Sequence, residues 1–337
     1  MNIIITINKA NIFLTLFMGL LSFVTFGQTQ YKIEDFSNKY KGVVTINSAD
    51  EADKGTITIT DIKTNKKIIT INSEILSYHI EEGKEIETNI LELPYGEQSL
   101  LIYDDFNFDG KKDLAIMEAH NSCYGGPSYQ VYLETGNTLI YSPEFTKLAQ
   151  EYCGMFDVDH KTKTIHTMTK SGCCWHQFSD FKVIKNKLIA VKIVEESVNM
   201  SHLFILDYIE KNRINGKMLE KAYSVLPKSG TDIIIVFSFK VRNNKTLQVF
   251  HSFNGLLYYA FTDSKGVIEL FYTDEFVFDK NNQTLSFVNK NVKYVIAKDG
   301  ITVITPKKKV HIKANVNSLE GDILSLEELD FENMLVK

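Results

Sequence analysis

Along most of the chain apolar and polar residues alternate with a period of two. Gly55-Thr-Ile-Thr-Ile-Thr60 is the clearest case, and after the polar turn at 61–66 the pattern resumes in Lys67-Ile-Ile-Thr-Ile71. Successive side chains of a strand point to opposite faces, so this alternation predicts a hairpin with one face buried. Residues 99–103, 114–117, 129–133, 164–169, 181–184 and 188–194 read as further strands. One helix interrupts them, with Ser142 as cap, Pro143 in the first position and residues 144–152 as its body.

The pattern changes over 199–227. Residues 201–210 and 217–223 are helix-compatible, and Pro227 ends the stretch, which predicts a helical linker. Strands then resume at 233–239, 247–251, 257–262, 267–272, 285–288, 292–297, 301–305 and 310–313, separated by short polar turns such as Arg242-Asn-Asn-Lys245. The expected architecture is mainly β. An antiparallel sandwich or propeller-like domain over 28–198, with one short helix, is followed by the linker and a second small antiparallel domain over 228–337.

The N-terminus differs from both. Residues 1–27 carry a single charged side chain, Lys9, then an apolar run from Ile12 to Val24, with Thr25 and Gly27 at the minus-three and minus-one positions of a cleavage site. That is the form of a secretory signal peptide. The run is shorter than the ~20 apolar residues of a spanning helix, and no Cys follows the cleavage site to take a lipid. A soluble periplasmic or secreted product is expected, with no membrane span after cleavage. Its charge excludes one class of partner: with 37 basic against 42 acidic residues, and Lys307-Lys-Lys309 as the main basic run, the footprint needed to bind nucleic acid is missing.

Candidate chemistry is concentrated in Asp105-Phe-Asn107-Phe-Asp109-Gly110-Lys111-Lys-Asp113. Side-chain oxygens at alternate positions, a glycine at the sixth and an acid at the ninth match a calcium loop, with the Lys111 carbonyl as a further ligand. Ile116 stands where an EF-hand has its Glu, and the flanks read as strands, so the loop is expected to join two strands. The competing reading is a solvated acidic turn neutralised by Lys111 and Lys112.

Export changes the meaning of the cysteines, because thiols in an oxidising compartment usually pair. Cys123, Cys153, Cys173 and Cys174 allow three connectivities. The adjacent pair would need a strained ring. If Cys173 and Cys174 lie on a strand their side chains face opposite ways, so each is expected to reach a separate partner, Cys123 or Cys153. A zinc site drawing on these thiols with His120, His166 or His176 is the competing reading, although no Cys-x-x-Cys pair is present.

Ser122, Tyr124, Ser171, Gly172, Trp175 and His176 lie beside these cysteines in turn-rich segments. Stapled loops lose little entropy on binding, so they form a candidate partner surface with Trp175 as its anchor. The alternatives are a braced rim and a tryptophan that fills the core. Catalytic signals are weak. Glu118 and His120 follow a strand without a convergent partner, and the chain has no Gly-x-Ser-x-Gly elbow, His-Glu-x-x-His helix or glycine-rich phosphate loop.

The order of the 105–113 loop, Gly125-Gly-Pro-Ser-Tyr-Gln-Val-Tyr-Leu133, Phe156-Asp-Val-Asp159 and Ser171-Gly-Cys-Cys174 resembles periplasmic proteins related to the invertebrate-type lysozyme inhibitors. That family includes immunity proteins that neutralise peptidoglycan-cleaving effectors delivered by type IV secretion. The likeness covers residues 30–197. It implies a propeller-like or sandwich arrangement of antiparallel strands, a calcium loop at Asp105, Asn107, Asp109 and Asp113, and a peptidoglycan hydrolase as protein partner. The lysozyme inhibitors place a Ser-Gly-x-Tyr loop in the enzyme's cleft; here Ser171 and Gly172 are kept, but Cys174 stands where the Tyr would be. The readings carried forward are a non-catalytic inhibitor or immunity factor, a binding module for carbohydrate or matrix, and a hydrolase.

Overall fold

The computed structural model describes residues 29–33, 36–46, 54–74, 76–80, 85–227 and 233–337, so the predicted signal peptide lies outside the described residues. Among the described residues the chain is mainly β, in sheets that are antiparallel apart from one parallel pair, and none closes into a barrel. It divides into two compact units, residues 1–163 with 185–187 and residues 164–184 with 188–337.

In the first unit β1 (Thr29–Ile33), β2 (Tyr40–Ile46), β3 (Gly55–Asp61) and β4 (Lys67–Ser73) form a meander in chain order. The alternation decides its faces. Val44, Ile57, Ile59, Ile69 and Ile71 are buried, while Thr58 and Thr70 meet across the other face with their hydroxyls 3.2 Å apart. A second meander follows from β5 (Leu101–Asp104), β6 (Asp113–Ala119), β7 (Ser128–Thr135) and β8 (Thr138–Tyr141).

Leu114, Ala115, Ile116 and Met117 are all fully buried, which is why β6 reads as an unbroken apolar run instead of alternating. Helix α1 (Pro143–Glu151) packs Phe145, Thr146, Leu148 and Ala149 inward, and its Thr146 hydroxyl accepts the Val131 amide at 2.9 Å. The Phe106 and Phe145 rings both meet Phe156, at 5.4 and 6.0 Å, so the root of the 105–113 loop is fixed to this core. The short strand β9 (Asp157–Asp159) ends the unit.

The second unit begins with β10 (Thr164–Ser171), β11 (Trp175–Ile184), β12 (Lys187–Val198), β13 (Leu206–Ile214) and β14 (Lys217–Val225), paired in succession. The helical linker expected over 199–227 is therefore wrong. Asn215 and Gly216, both with positive φ (51° and 80°), form the two-residue turn of a β-hairpin, which reverses the chain before a helix can run on. Cross-strand partners replace the missing β-propensity of the Glu and Lys residues: Tyr208 stacks on Tyr223 at 5.3 Å, and Lys211 pairs with Glu195 at 2.8 Å. This continuous sheet also moves the division between units to Thr164 from the expected residue 199.

Two further meanders complete the chain. They are β15 (Ile234–Lys240), β16 (Thr246–His251), β17 (Leu257–Thr262) and β18 (Ile268–Tyr272), then β19 (Phe276–Asp279), β20 (Thr284–Asn289), β21 (Val292–Ala297), β22 (Gly300–Ile304) and β23 (Lys309–Lys313). The last strands return to both sheets: β24 (Glu320–Gly321) pairs with β15, and β25 (Met334–Val336) lies parallel to β19. Phe237, Phe239, Leu247, Val249, Tyr259, Phe276, Phe278 and Phe287 form one core across these elements.

Candidate functional site

The 105–113 loop joins β5 to β6, as its apolar flanks predict. Its side-chain oxygens turn inward onto backbone amides. Asp105 Oδ1 and Asn107 Oδ1 both accept the Asp109 amide, at 3.0 and 3.1 Å, so these two oxygens converge on one point. Asp105 Oδ2 accepts the Gly110 amide at 2.8 Å, and Asp109 Oδ1 accepts that of Lys111 at 2.9 Å. Gly110 has φ +87° with nothing within 4 Å of an added Cβ, so conformation and not space demands the glycine. Asn107 donates its Nδ2 to Asn186 Oδ1 at 3.1 Å, which fixes the orientation of its amide.

Asp113 is fully buried and acts as a clasp. Its Oδ2 accepts the amides of Phe106 (2.9 Å) and Asn107 (3.3 Å), and its Oδ1 accepts that of Glu134 on β7 (2.8 Å). Burial pushes its pKa up to about 7 against these three bonds, which favour the carboxylate. Among the described residues, no group of three or more His, Cys, Asp or Glu side chains could hold a metal. The donor set is thus mixed. Asp105, Asn107 and Asp109 supply oxygens that retain a second lone pair, and the Lys111 carbonyl is a further hard donor, the chemistry calcium takes. Beside the loop, His160 Nε2 meets Asp104 Oδ2 at 2.8 Å, and the His160 ring lies against Phe108 at 5.9 Å.

The cysteines pair as Cys123–Cys153 and Cys173–Cys174, so the expectation of separate partners for Cys173 and Cys174 is corrected. Its premise fails because neither residue lies on a strand. Ser171 pairs with Trp175 across the β10–β11 hairpin, leaving Gly172, Cys173 and Cys174 as the turn, with Gly172 at φ +65°. All four sulfurs are bonded to one another in these two bridges, so none serves as a zinc ligand here.

Each bridge closes within its own unit, and so covalent bracing does not join the two candidate recognition segments. In the first, Ser122 is buried with its hydroxyl accepting the Gly154 amide at 3.1 Å, which assigns it to the fold and not to a contact surface. Tyr124 is 65% exposed. In the second, Ser171 and Gly172 are exposed, and Trp175 and His176 are half-buried. The His176 ring stacks on Phe178 at 6.4 Å, and its Nδ1 stands 3.8 Å from Glu196. Phe178 and Glu196 were missed from sequence, although the alternation of β11 places 176 and 178 on one face.

Other candidates lose their exposure or their freedom. An exposed aromatic row at Phe250, Tyr258 and Phe271 would have favoured the carbohydrate or matrix reading, but Phe250 and Tyr258 are buried against Phe204. Glu118 accepts hydrogen bonds from Gln130 at 2.5 Å and from Gln150. In the second unit a groove of about 620 Å³ runs over Ser238, Lys240, Thr246, Gln248, Thr262 and Glu320, beside Ile233 and Ile235.

No protein-family model matches the chain, and no curated protein matches it. Among solved structures, a Xanthomonas type IV secretion system related protein is 19% identical over 59% of this chain and 94% of its own, with TM-score 0.44. A prolyl endopeptidase is 7% identical over 87% of this chain and 42% of its own, with TM-score 0.24. An uncharacterised Listeria monocytogenes protein is 11% identical over 93% and 86%, with TM-score 0.23. With TM-scores below 0.5, these likenesses carry no argument for fold or function.

Proposed function

We propose that the chain is an exported, calcium-stabilised, non-catalytic protein that binds a cell-wall hydrolase as an inhibitor or immunity factor. The observation that carries this reading is the tip of the β10–β11 hairpin. There Trp175 is half-buried instead of filling the core, next to the exposed Ser171 and Gly172 and the stacked pair His176–Phe178. A large, rigid aromatic presented on a strand beside a short turn contributes contact area at low entropic cost, the property of interface anchors. The resemblance read from the 105–113 loop and Ser171-Gly-Cys-Cys174 supplies the kind of partner, a peptidoglycan hydrolase. Cys174 in place of the inhibitors' tyrosine turns the reading away from invertebrate-type lysozyme itself.

The oxygens of Asp105, Asn107, Asp109 and the Lys111 carbonyl support calcium binding, with Asp113 holding the loop closed. Periplasmic or secreted placement follows from the N-terminal apolar run and the two disulfides. A pull-down from the native envelope with wild-type chain and with Trp175→Ala tests the proposal. A wall-cleaving enzyme captured by the first and lost with the second is the expected result; equal capture by both would remove Trp175 from the interface. The groove of the second unit favours an alternative, a secreted or surface module for carbohydrate or matrix, because the polar residues Ser238, Thr246, Gln248 and Thr262 are among its lining. Binding that survives Trp175→Ala but is lost with Gln248→Leu would support that alternative.

A further inference from the structure

We infer that Cys173–Cys174 is a site of reversible thiol–disulfide exchange with a dithiol, able to open while Cys123–Cys153 stays closed. Exchange requires a thiolate to reach a disulfide sulfur, so access separates the two bridges. Cys173 is exposed on the hairpin turn and Cys174 half-buried, whereas Cys123 is half-buried and Cys153 only 6% exposed. The backbone after Cys153 is also tied down, the Gly154 amide to Ser122 Oγ at 3.1 Å and the Met155 amide to Gln98 Oε1 at 3.3 Å. The bond from Gly154 to Ser122 holds the chain segments of Cys123 and Cys153 side by side, which favours re-closure of that bridge. Lys170 and His176 pair across the hairpin immediately behind the Cys173–Cys174 turn.

The step balances without further reagents. A dithiol's thiolate attacks Cys173 Sγ, the S–S bond breaks, and Cys174 leaves with the electron pair and takes up a proton. The second thiol of the reagent then attacks the mixed disulfide, releasing Cys173 as a thiol and leaving the reagent as its disulfide. Two electrons and two protons pass to the protein. The open turn loses a covalent constraint beside Trp175, and the Cys174 carbonyl, which accepts the Val198 amide at 3.0 Å, gains freedom. A weaker grip on the partner follows if the hairpin tip is the contact surface; that consequence rests on the proposed function, and the exchange does not.

The test uses the full oxidised chain in native buffer, poised with mixtures of reduced and oxidised dithiothreitol, trapped by alkylation and read by peptide mass spectrometry. Cys173 and Cys174 are expected to become alkylated at a dithiol-to-disulfide ratio at least about tenfold lower than Cys123 and Cys153, a difference of about 30 mV. All four opening at one ratio, or Cys123–Cys153 opening first, would overturn the inference. In the Cys173→Ser/Cys174→Ser double variant the remaining bridge should open at its wild-type ratio, and a shift would show that the two bridges are not independent. Exchange as expected, with partner capture equal in both redox states, would overturn the assignment of the contact surface and leave the exchange standing.

Discussion

Trp175 is the residue on which the binding reading turns, because exposure and burial give opposite predictions for one substitution. Half-buried at the start of β11, it should lose little stability when truncated. Trp175→Ala is expected to lower the melting temperature only slightly while weakening partner binding by about 2 kcal/mol or more, the scale of hot-spot truncation. Calorimetry and a binding isotherm on the same variant check this; a loss of about 3 to 5 kcal/mol in stability with unchanged affinity would mark it as core. Asp113 makes a prediction about pH. Its folded pKa of about 7 lies above the ordinary 3.8, so between these values the folded state holds a proton that the unfolded state has released. Without calcium, stability should fall as pH rises through this window, by up to about 1.4 kcal/mol per pH unit, and level off above pH 7. A bound cation favours the carboxylate, so calcium should flatten the slope, as should Asp113→Asn; denaturant titrations at several pH values read both effects.

At the scale of elements, most strands were legible and the exceptions have local causes. The threonine–isoleucine alternation of β3 and β4 states its register, and the unbroken run of β6 states its burial on both faces. The β13–β14 hairpin was misread because Leu206-Asp-Tyr-Ile-Glu-Lys and Lys217-Met-Leu-Glu-Lys-Ala are rich in helix formers, while the deciding signal was the dipeptide Asn215-Gly216. Gly216→Ala tests that account. With φ +80° and nothing within 4 Å of an added Cβ, its cost is conformational alone and should be about 1 kcal/mol by chemical denaturation. The cysteine pairing was hidden for a related reason: Cys173 and Cys174 occupy a turn set by the pairing of Ser171 with Trp175, and alternation cannot reveal where a strand stops. That the 105–113 loop joins two strands was legible from its apolar flanks; that Asp113 spends its oxygens on the amides of Phe106, Asn107 and Glu134 was not.

For the whole molecule, the proposed calcium and partner binding would be linked to stability by mass action. A ligand held only by the folded state adds about 2.7 kcal/mol at one hundred times its dissociation constant. The melting temperature should therefore be higher in millimolar calcium than in chelator, and Asp109→Ala should largely abolish the difference. An unchanged melting curve after demonstrated removal of the ion would end the calcium assignment. The central claim is that this chain blocks a wall-cleaving enzyme without cleaving anything itself. The measurement that reaches it most directly is clearance of a peptidoglycan suspension by the enzyme captured from the envelope, titrated with the wild-type chain. Clearance should fall to the background rate near one chain per enzyme and persist when Trp175→Ala is added in its place; clearance by the chain alone, or no change in rate at a tenfold excess, would contradict the account.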